Sequence, residues 1–351
     1  ILYGDTPFVR PETLQSLSAA RKTADIVVLG FNAGDPGRYG RLVMQGAAVS
    51  RIVEYKDASE QERAITFCNS GVICAKAEVL FSLLEVVGND NASGEYYLTD
   101  IVQLANDRNL SVAAVHCDEA ETMGINSRAE LAQAEASFQT RTRAEMMALG
   151  VSLTAPETVY FAYDTVLGRD SQVEPNVVFG PGVTVENGAR IRAFSHLEGC
   201  HISSGAVVGP YARLRPGTEL AENVRIGNFV EIKNARIENG AKVNHLSYIG
   251  DANIGEASNI GAGTITCNYD GVGKHHTEIG ASVFIGSNTM LVAPVTVGDD
   301  AMTASGSGIT KNVEPGALAI ARSEQGNKPG LAIKLFAMLR RRKAKQQERM
   351  L

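Results

Sequence analysis

The run Ala206-x-Val208, Ala212-x-Leu214, Thr218-x-Leu220, Val224-x-Ile226, Val230-x-Ile232, Ala235-x-Ile237, Ala241-x-Val243, Ser247-x-Ile249, Ala252-x-Ile254, Ser258-x-Ile260 repeats a small or apolar residue two positions before an apolar one, in steps of six with few slips. The period resumes at Val283/Ile285, Thr289/Leu291, Val295/Val297, Ala301/Thr303 and Ser307/Ile309, so the repetitive region runs from about 166 to 309. A helical face would recur at three and four residues, and an ordinary strand would alternate only as far as its turn. A sustained period of six is that of a hexapeptide β-helix, in which each unit is a short strand plus a corner. Three units of six close one triangular coil of eighteen residues, and inward side chains stack on those of the coils above and below. A β-sandwich would need wider turn spacing and hairpin dipeptides between its strands.

The sequence on either side of the repeats points to more than one domain. At 351 residues the chain is long enough for two cores. Its hydrophobic content of 44% is ordinary, and a formal net charge of −6 argues against nonspecific nucleic-acid binding. No segment has the length of an apolar membrane span and no signal peptide opens the chain, so a cytoplasmic location without nucleic-acid or membrane partners is expected. The five cysteines, Cys68, Cys74, Cys117, Cys200 and Cys267, are odd in number, widely spaced and without a Cys-x-x-Cys, which predicts free thiols. Before the repeats, 25–30, 52–55 and 66–75 read as strands and 77–87 as a helix, an α/β pattern. The opening Ile1-Leu2-Tyr3-Gly4-Asp5 reads as the end of a buried strand that delivers an acid to a loop, a start in mid-domain. A helix over about 127–149, opened by a Ser127-x-x-Glu130 capping box and closed by Gly150, is expected to link the domains. The run Arg340-Arg-Arg-Lys-Ala-Lys345 is expected to be the solvated end of a terminal helix. The division that follows is 1–126, a linker helix over 127–150, the β-helix over 151–322, and a basic helical tail over 323–351.

Equal offsets on successive coils stack, so the outward groups that meet can be counted. Spacings of five after Ile232 and after Ile249 shorten two coils to seventeen residues. Arg215 and Lys233, eighteen apart, then project from the same corner of neighbouring coils, whose strands lie about 4.8 Å apart. Two cations so close repel, which suits a fork for a doubly charged phosphate; two solvated side chains pointing apart is the plainer alternative. Another edge collects Asn228, His245 and Ala262 and, if the irregular stretch 267–276 replaces one unit, Ser287 and Ser305. Just round from His245, Tyr248 stacks over Glu231, and the inserted stretch carries Asn268, Tyr269 and Lys274. A lone histidine is more often structural, but one beside a carboxylate, a tyrosine, a phosphate fork and a loop can remove a proton from an amine at neutral pH.

The stretches Ala212-Arg-Leu-Arg-Pro-Gly217, Gly227-Asn-Phe-Val-Glu-Ile-Lys233, His245-Leu-Ser-Tyr-Ile-Gly-Asp251 and Asn259-Ile-Gly-Ala-Gly-Thr-Ile-Thr-Cys-Asn-Tyr-Asp-Gly271 resemble one family specifically. It is the bifunctional bacterial N-acetylglucosamine-1-phosphate uridylyltransferase/glucosamine-1-phosphate N-acetyltransferase. Shorter matches extend the resemblance over nearly the whole chain: Tyr3-Gly4-Asp5, Pro36-Gly-Arg-Tyr-Gly-Arg41, Val53-Glu-Tyr-Lys-Asp57, Asn69-Ser-Gly71, Gly94-Glu-Tyr-Tyr-Leu-Thr-Asp100 and Gly124-Ile-Asn126.

The resemblance implies an incomplete Rossmann-like α/β nucleotidyltransferase domain followed by a left-handed parallel β-helix, assembled as a homotrimer with acetyl transfer sites between neighbouring chains. It assigns Arg215, Lys233, Tyr248, Asn259 and Lys274 to glucosamine-1-phosphate and makes His245 the general base for the sugar amine as it attacks acetyl-CoA. Asn268 would help to orient that base, and Ala262, Asn268, Tyr269, Ser287, Ser305 and Arg322 would meet the acetyl group and coenzyme A. Ser305 stands where the family has an alanine; that residue acts through its main chain, so the change is expected to be tolerated. In the first domain Tyr3, Gly4, Gly40, Glu54, Asn69 and Asn126 would contact UDP-N-acetylglucosamine, and Asp5 with Asn126 would ligate the Mg²⁺ that bridges nucleotide phosphates. Together the two reactions would use acetyl-CoA, UTP and N-acetylglucosamine-1-phosphate to supply UDP-N-acetylglucosamine for peptidoglycan and lipopolysaccharide. The family's glycine-rich phosphate loop has no match in residues 1–30, and about a hundred of its residues have no counterpart, so the chain as written is expected not to bind UTP. It is read as part of a longer protein, or as a form with acetyl transfer alone. An interrupted sheet in residues 1–126 is expected to expose a central edge.

Three other readings stay open on the residues alone. A hexapeptide zinc hydrolyase would bind Zn²⁺ between chains through three histidines, and His196-x₄-His201 has suggestive spacing, but no third histidine falls naturally beside them. A nucleotidyltransferase with a structural or regulatory β-helix would be indifferent to loss of the His245 side chain. A purely structural, oligomerising β-helix would tolerate loss of both His245 and Lys233.

Overall fold

The computed structural model describes residues 1–348. Two compact units divide the chain, Ile1–Phe138 and Gln139–Leu351.

In the first unit a five-stranded sheet is built from β1 (Ile26–Asn32), β2 (Arg41–Gln45), β3 (Ala48–Val53), β4 (Phe67–Ala75) and β5 (Val112–Cys117). All of β1 except Asn32 is buried, which is why its sequence Ile-Val-Val-Leu-Gly-Phe does not alternate with polar residues. One cluster, around Leu42, Ile73, Leu83 and Ile101, packs under α2 (Ala77–Leu84) and α3 (Ile101–Asp107). The other, around Leu17, Val27, Leu29 and Phe31, packs under α1 (Pro11–Ala20). These helices were not read from the sequence, apart from the one at 77. β1 pairs parallel with β5 and antiparallel with β4. The ring then closes through single-residue bridges, Arg41 to Cys68 and Ala48 to Ala113. The expected open central edge is therefore corrected: each strand has two neighbours, because the β2–β3 hairpin folds across between β4 and β5. Ile1 is likewise not in a strand, though its ammonium donates to the Ile73 carbonyl at 2.7 Å and its own carbonyl accepts from Ile73 N.

The helix expected at 127–149 spans Arg128–Ala148, with Ser127 Oγ accepting from Glu130 N at 3.2 Å. Glu130 Oε2 in turn accepts from Asn126 N, one residue earlier than in a reciprocal capping box. The basic run lies in a helix, Leu331–Glu348, as expected.

The second unit is a parallel β-helix whose register is the one counted from the sequence. Leu214 pairs with Ile232 and Ile232 with Ile249, and the column continues through Thr266, Leu291 and Ile309. A second column holds Val208, Ile226, Val243, Ile260, Ile285 and Thr303, and a third Ile202, Leu220, Ile237, Ile254, Ile279 and Val297. All are buried, so the narrow interior is three stacks of branched side chains. The single-residue slips at 232–235 and 249–252 give seventeen-residue coils: Glu231 lies on Tyr248, and Lys242 on Asn259. Cys267 lies on Val292, twenty-five residues on, which leaves 267–276 as the inserted loop.

One corner of every coil requires the left-handed backbone region. It is occupied in turn by Asn176, Phe194, Tyr211, Phe229, Leu246, Gly263, Asn288 and Gly306, with φ between 50° and 78°. Asparagine and glycine accept this readily, whereas a bulky side chain costs about 1–2 kcal/mol there. The three aromatics offset part of that cost by stacking: Phe194 on Tyr211 at 4.9 Å between centroids, and Tyr211 on Phe229 at 5.3 Å.

Ile249 is fully buried between coils. Ile249→Ala is expected to cost about 2–5 kcal/mol, measured by urea unfolding followed by circular dichroism; a loss no larger than that of a surface Ala substitution would refute the stacked-column core.

Candidate functional site

The edge just before the left-handed corner carries the column Asn228, His245, Ala262, Ser287, Ser305. Asn228 and His245 are direct partners in the strand register, and the others follow from the pairs Val243–Ile260, Ile260–Ile285 and Ile285–Thr303. His245 is exposed, and its Nδ1 lies 2.8 Å from Asn228 Oδ1. An amide oxygen can only accept, so this contact puts the imidazole proton on Nδ1 and leaves the Nε2 lone pair free to take another. The resemblance gave the orienting role to Asn268. The His245 ring donates to Asn228 Oδ1, and the Asn268 amide is engaged elsewhere, by Asp251. Counting had placed Asn228 on this edge without assigning it a task.

Past the corner the next face begins with the column Arg213, Glu231, Tyr248, Ile265. Two residues further on, Arg215, Lys233 and Gly250 stack, which confirms the counted alignment of the two cations. Arg215 Nη1 meets Glu231 Oε1 at 2.9 Å, so the guanidinium is already aimed along the prism. Lys233 is four-fifths buried, with Nζ 3.9 Å from Asp251 Oδ2. Gly250 has to lack a side chain: a Cβ there would collide with the Tyr248 hydroxyl and lie 2.9 Å from the Asn268 amide nitrogen. Its N–H donates to the buried Thr266 Oγ1 at 2.7 Å, which anchors this strand to the core.

The inserted loop brings a third cation. It is a tight turn in which Asp270 accepts from Val272 N and Gly273 N and pairs with His275 Nε2 at 2.6 Å, while Tyr269 bridges to Lys274. The His275 and backbone hydrogen bonds hold the Asp270 carboxyl far below its usual range. Lys274 is placed beside Lys233, whose side chain and charge hold the Lys274 ammonium pKa below its ordinary value, with Asp251 and Tyr248 opposing. Three cations thus gather on the face after the left-handed corner, with the oriented imidazole on the face before it, an arrangement fit to bind a phosphate dianion on one side of the corner and to accept a proton on the other.

Asn259 and Arg322 lie apart from this cluster within one chain, Ser287 and Ser305 continue the His245 edge, and Tyr269 belongs to the loop of Lys274. Asn259 sits on the preceding face, in the column Arg225, Lys242, Asn259, Phe284. Tyr269 is exposed and its hydroxyl donates to Gly271 O at 2.6 Å. Ser287, Ser305 and Arg322 are exposed, Arg322 beyond the last strand at Leu318–Ala319. His196 stacks with Val178 and Arg213, whereas His201 lies between Glu186 and Glu219, at 3.0 and 3.4 Å. The two rings occupy different columns of the chain, and His201 is taken up by its two glutamates.

In the first unit Gly40, Glu54 and Asn69 come together. Asn69 N donates to Gly40 O at 2.8 Å, and a Cβ on Gly40 would lie 3.3 Å from Glu54 Oε1. Tyr3 packs over Gly71, whose φ of +85° and lack of a side chain admit the ring. Asp5 O accepts from Ile125 N at 2.9 Å, which brings the exposed Asp5 alongside exposed Asn126, with Gly4 between Tyr3 and Asp5. A carboxylate and an amide are hard oxygen donors of the kind that hold Mg²⁺ jointly with substrate phosphates, so the pair fits the ion implied for it.

The model of the bacterial transferase hexapeptide (six repeats) family matches residues 164–199, 199–234 and 276–311. The bifunctional protein GlmU of Ruegeria sp. (strain TM1040) is 71% identical over 344 residues, covering 98% of this chain and 77% of that protein. The chain belongs to the bifunctional GlmU family. The family's protein from Paracoccus denitrificans (strain Pd 1222) is 62% identical over 343 residues, 98% of this chain and 76% of its own length. Among solved structures, the UDP-N-acetylglucosamine acyltransferase of Francisella novicida gives a TM-score of 0.37 at 15% identity, over 49% of this chain and 65% of that one.

The Asn228 contact predicts that neutral His245 carries its proton on Nδ1. Long-range ¹⁵N NMR should show that tautomer alone in the parent chain and a mixture in Asn228→Ala; a pure Nε2–H ring in the parent would refute the assignment.

Proposed function

We propose that the face bounded by His245 and the 267–276 loop is the acetyl transfer site of this enzyme, with His245 as general base. Members of the family are glucosamine-1-phosphate N-acetyltransferases and N-acetylglucosamine-1-phosphate uridylyltransferases that make UDP-N-acetylglucosamine, and the chain is one of them. The observation that carries the site assignment is the junction of an imidazole whose Nδ1 is held by Asn228 with the cations Arg215, Lys233 and Lys274.

In this reading the cations bind the sugar phosphate and Tyr248 lies against the sugar, which directs the amine toward His245. Nε2 takes the proton that the nitrogen loses as it attacks the thioester carbonyl of acetyl-CoA. The C–N bond forms, the C–S bond breaks, and the departing coenzyme A sulfur takes up the proton held on Nε2 and leaves as the thiol. The column above His245 supplies backbone and small side chains, Ala262, Ser287 and Ser305, along which the acyl group and its carrier would lie, with Asn268, Tyr269 and Arg322 as further contacts. A serine at 305 is compatible with this because its side chain faces outward and is exposed.

Two features support the homotrimeric assembly that the resemblance implies. Asn259 is remote from the phosphate fork in its own chain, so a site that uses it draws it from a neighbour. Phe194, Tyr211, Phe229 and Leu246 present an aromatic and aliphatic ladder 47–61% exposed, directly beside the catalytic edge. Such a patch is characteristic of a surface that another protein covers.

In the first unit, Tyr3, Gly4, Gly40, Glu54, Asn69 and Asn126 are proposed to contact the N-acetylglucosamine nucleotide, and Asp5 with Asn126 to hold Mg²⁺. The ion when bound would neutralise phosphate charge. No helix among the described residues is long and apolar enough to cross a membrane. A cytoplasmic enzyme without nucleic-acid or membrane partners is the corresponding proposal.

The test is thiol release from acetyl-CoA in the presence of glucosamine-1-phosphate. His245→Ala should lower kcat by about a hundredfold or more; retention of full activity would remove His245 from the mechanism. Phe229→Asp should shift the sedimentation profile toward monomer and abolish transfer, and an active monomeric variant would refute a shared site.

A further inference from the structure

The corner that follows the cation fork holds a column of which the resemblance named only Asn268. Asn234, Asp251 and Asn268 stand at successive spacings of seventeen on adjoining coils, and Asn234 and Asp251 both have positive φ, 45° and 49°. Asp251 is nearly buried, with its side chain 11% exposed. Its Oδ1 accepts from Asn234 Nδ2 below at 2.7 Å, and its Oδ2 from Asn268 Nδ2 above. The same Oδ2 lies 3.9 Å from Lys233 Nζ, and the field of Asp251 also reaches Lys274.

We infer that Asp251 is a positioning residue for phosphate recognition: clamped by two amides, it holds Lys233 and Lys274 together as ammonium ions and ties the 267–276 loop to the coil through Asn268. This rests on the proposed acetyl transfer site. Two lysines side by side repel, and in the absence of a ligand one of them would shed its proton or swing away. A fixed carboxylate behind them counters both. At 3.9 Å the contact is looser than a direct hydrogen bond, so Asp251 supplies charge without taking up an ammonium hydrogen of Lys233. The amides keep Asp251 ionised: burial pushes its carboxyl up, but the Asn234 and Asn268 donors and the two lysines together bring it below its ordinary value. The charged and titratable groups around Lys274 are Lys233, Asp251 and Tyr248; Asp270 and His275 pair with each other in its loop, and Arg215 is engaged by Glu231.

The test is steady-state acetyl transfer by the full chain, with inorganic phosphate binding by calorimetry measured alongside. Asp251→Asn keeps the shape and removes the charge. KM for glucosamine-1-phosphate should rise about tenfold or more, while kcat stays within about threefold. The carboxylate favours the protonated lysine, so without it Lys274 loses its proton at lower pH. The alkaline rise in KM for the sugar phosphate should therefore move to lower pH. Asn234→Gly leaves the charge, suits the positive φ and releases one clamp from an exposed position; it should raise the same KM severalfold with the pH profile unmoved. This second variant keeps the inference testable if Asp251→Asn does not fold. Unchanged KM for the sugar phosphate in whichever of the two folds, or a fall in kcat alone, overturns the inference. If the parent chain transfers no acetyl group but Asp251→Asn still binds phosphate more weakly, the inference stands and the assignment of the site falls.

Discussion

Every position in the β-helix is constrained by the residues seventeen, eighteen or twenty-five places away on which it lies. Parallel strands of two or three residues have almost no stability alone, and a coil becomes stable only when its inward side chains are covered above and below. The interior therefore admits one branched residue per face per coil, and the columns from Leu214 to Ile309 and from Val208 to Thr303 are unbroken. The same stacking governs the outside. Once the core register is set, outward residues have no freedom to choose their neighbours, and Asn228 must lie beside His245 as Arg215 must lie beside Lys233.

This geometry makes a β-helix a good place to concentrate like charges. On a flexible surface Arg215, Lys233 and Lys274 would separate. Here the first two are fixed at the strand spacing by the backbone, and the third is delivered by a loop whose turn is locked by Asp270. Repulsion among them is countered by Glu231 on one side and Asp251 on the other, both held in adjoining columns. The two carboxylates are unlike in setting: Glu231 is about a third exposed and Asp251 is nearly buried between amides. The imidazole lies on the far side of the left-handed corner, so proton transfer and phosphate binding are handled by adjacent faces joined at Leu246. That corner accepts a bulky residue at a cost of about 1–2 kcal/mol, and its aromatic neighbours Phe194, Tyr211 and Phe229 form the exposed ladder next to the site.

The first unit follows a different logic. Its central strand β1 is buried on both sides, and the sheet closes through a hairpin, so strands distant in sequence meet around it. Its residues Gly40, Glu54 and Asn69 converge because β2, β3 and β4 are neighbours, a fact of topology without a repeating signal in the chain.

Much of the second unit was legible in the sequence because its period is local and its neighbours are separated by a fixed count. The fold, the seventeen-residue coils, the Arg215–Lys233 stack and the His245 edge all follow from arithmetic on Val, Ile and Leu positions. The α/β pattern was legible in outline at 25–30 and 66–75, but closure of the sheet was not, since the bridges Arg41–Cys68 and Ala48–Ala113 join segments with no periodic relation. Nor was the hydrogen bonding within the site. Asn228 and Asn268 are the same residue type on nearby corners, and only side-chain direction in the folded coil decides that one holds the His245 ring and the other the Asp251 carboxylate. The sequence by itself determined which residues share a column, because backbone stacking depends on spacing alone. Tertiary structure decided which of them touch, because that depends on rotamers, burial and an inserted loop whose path no repeat prescribes.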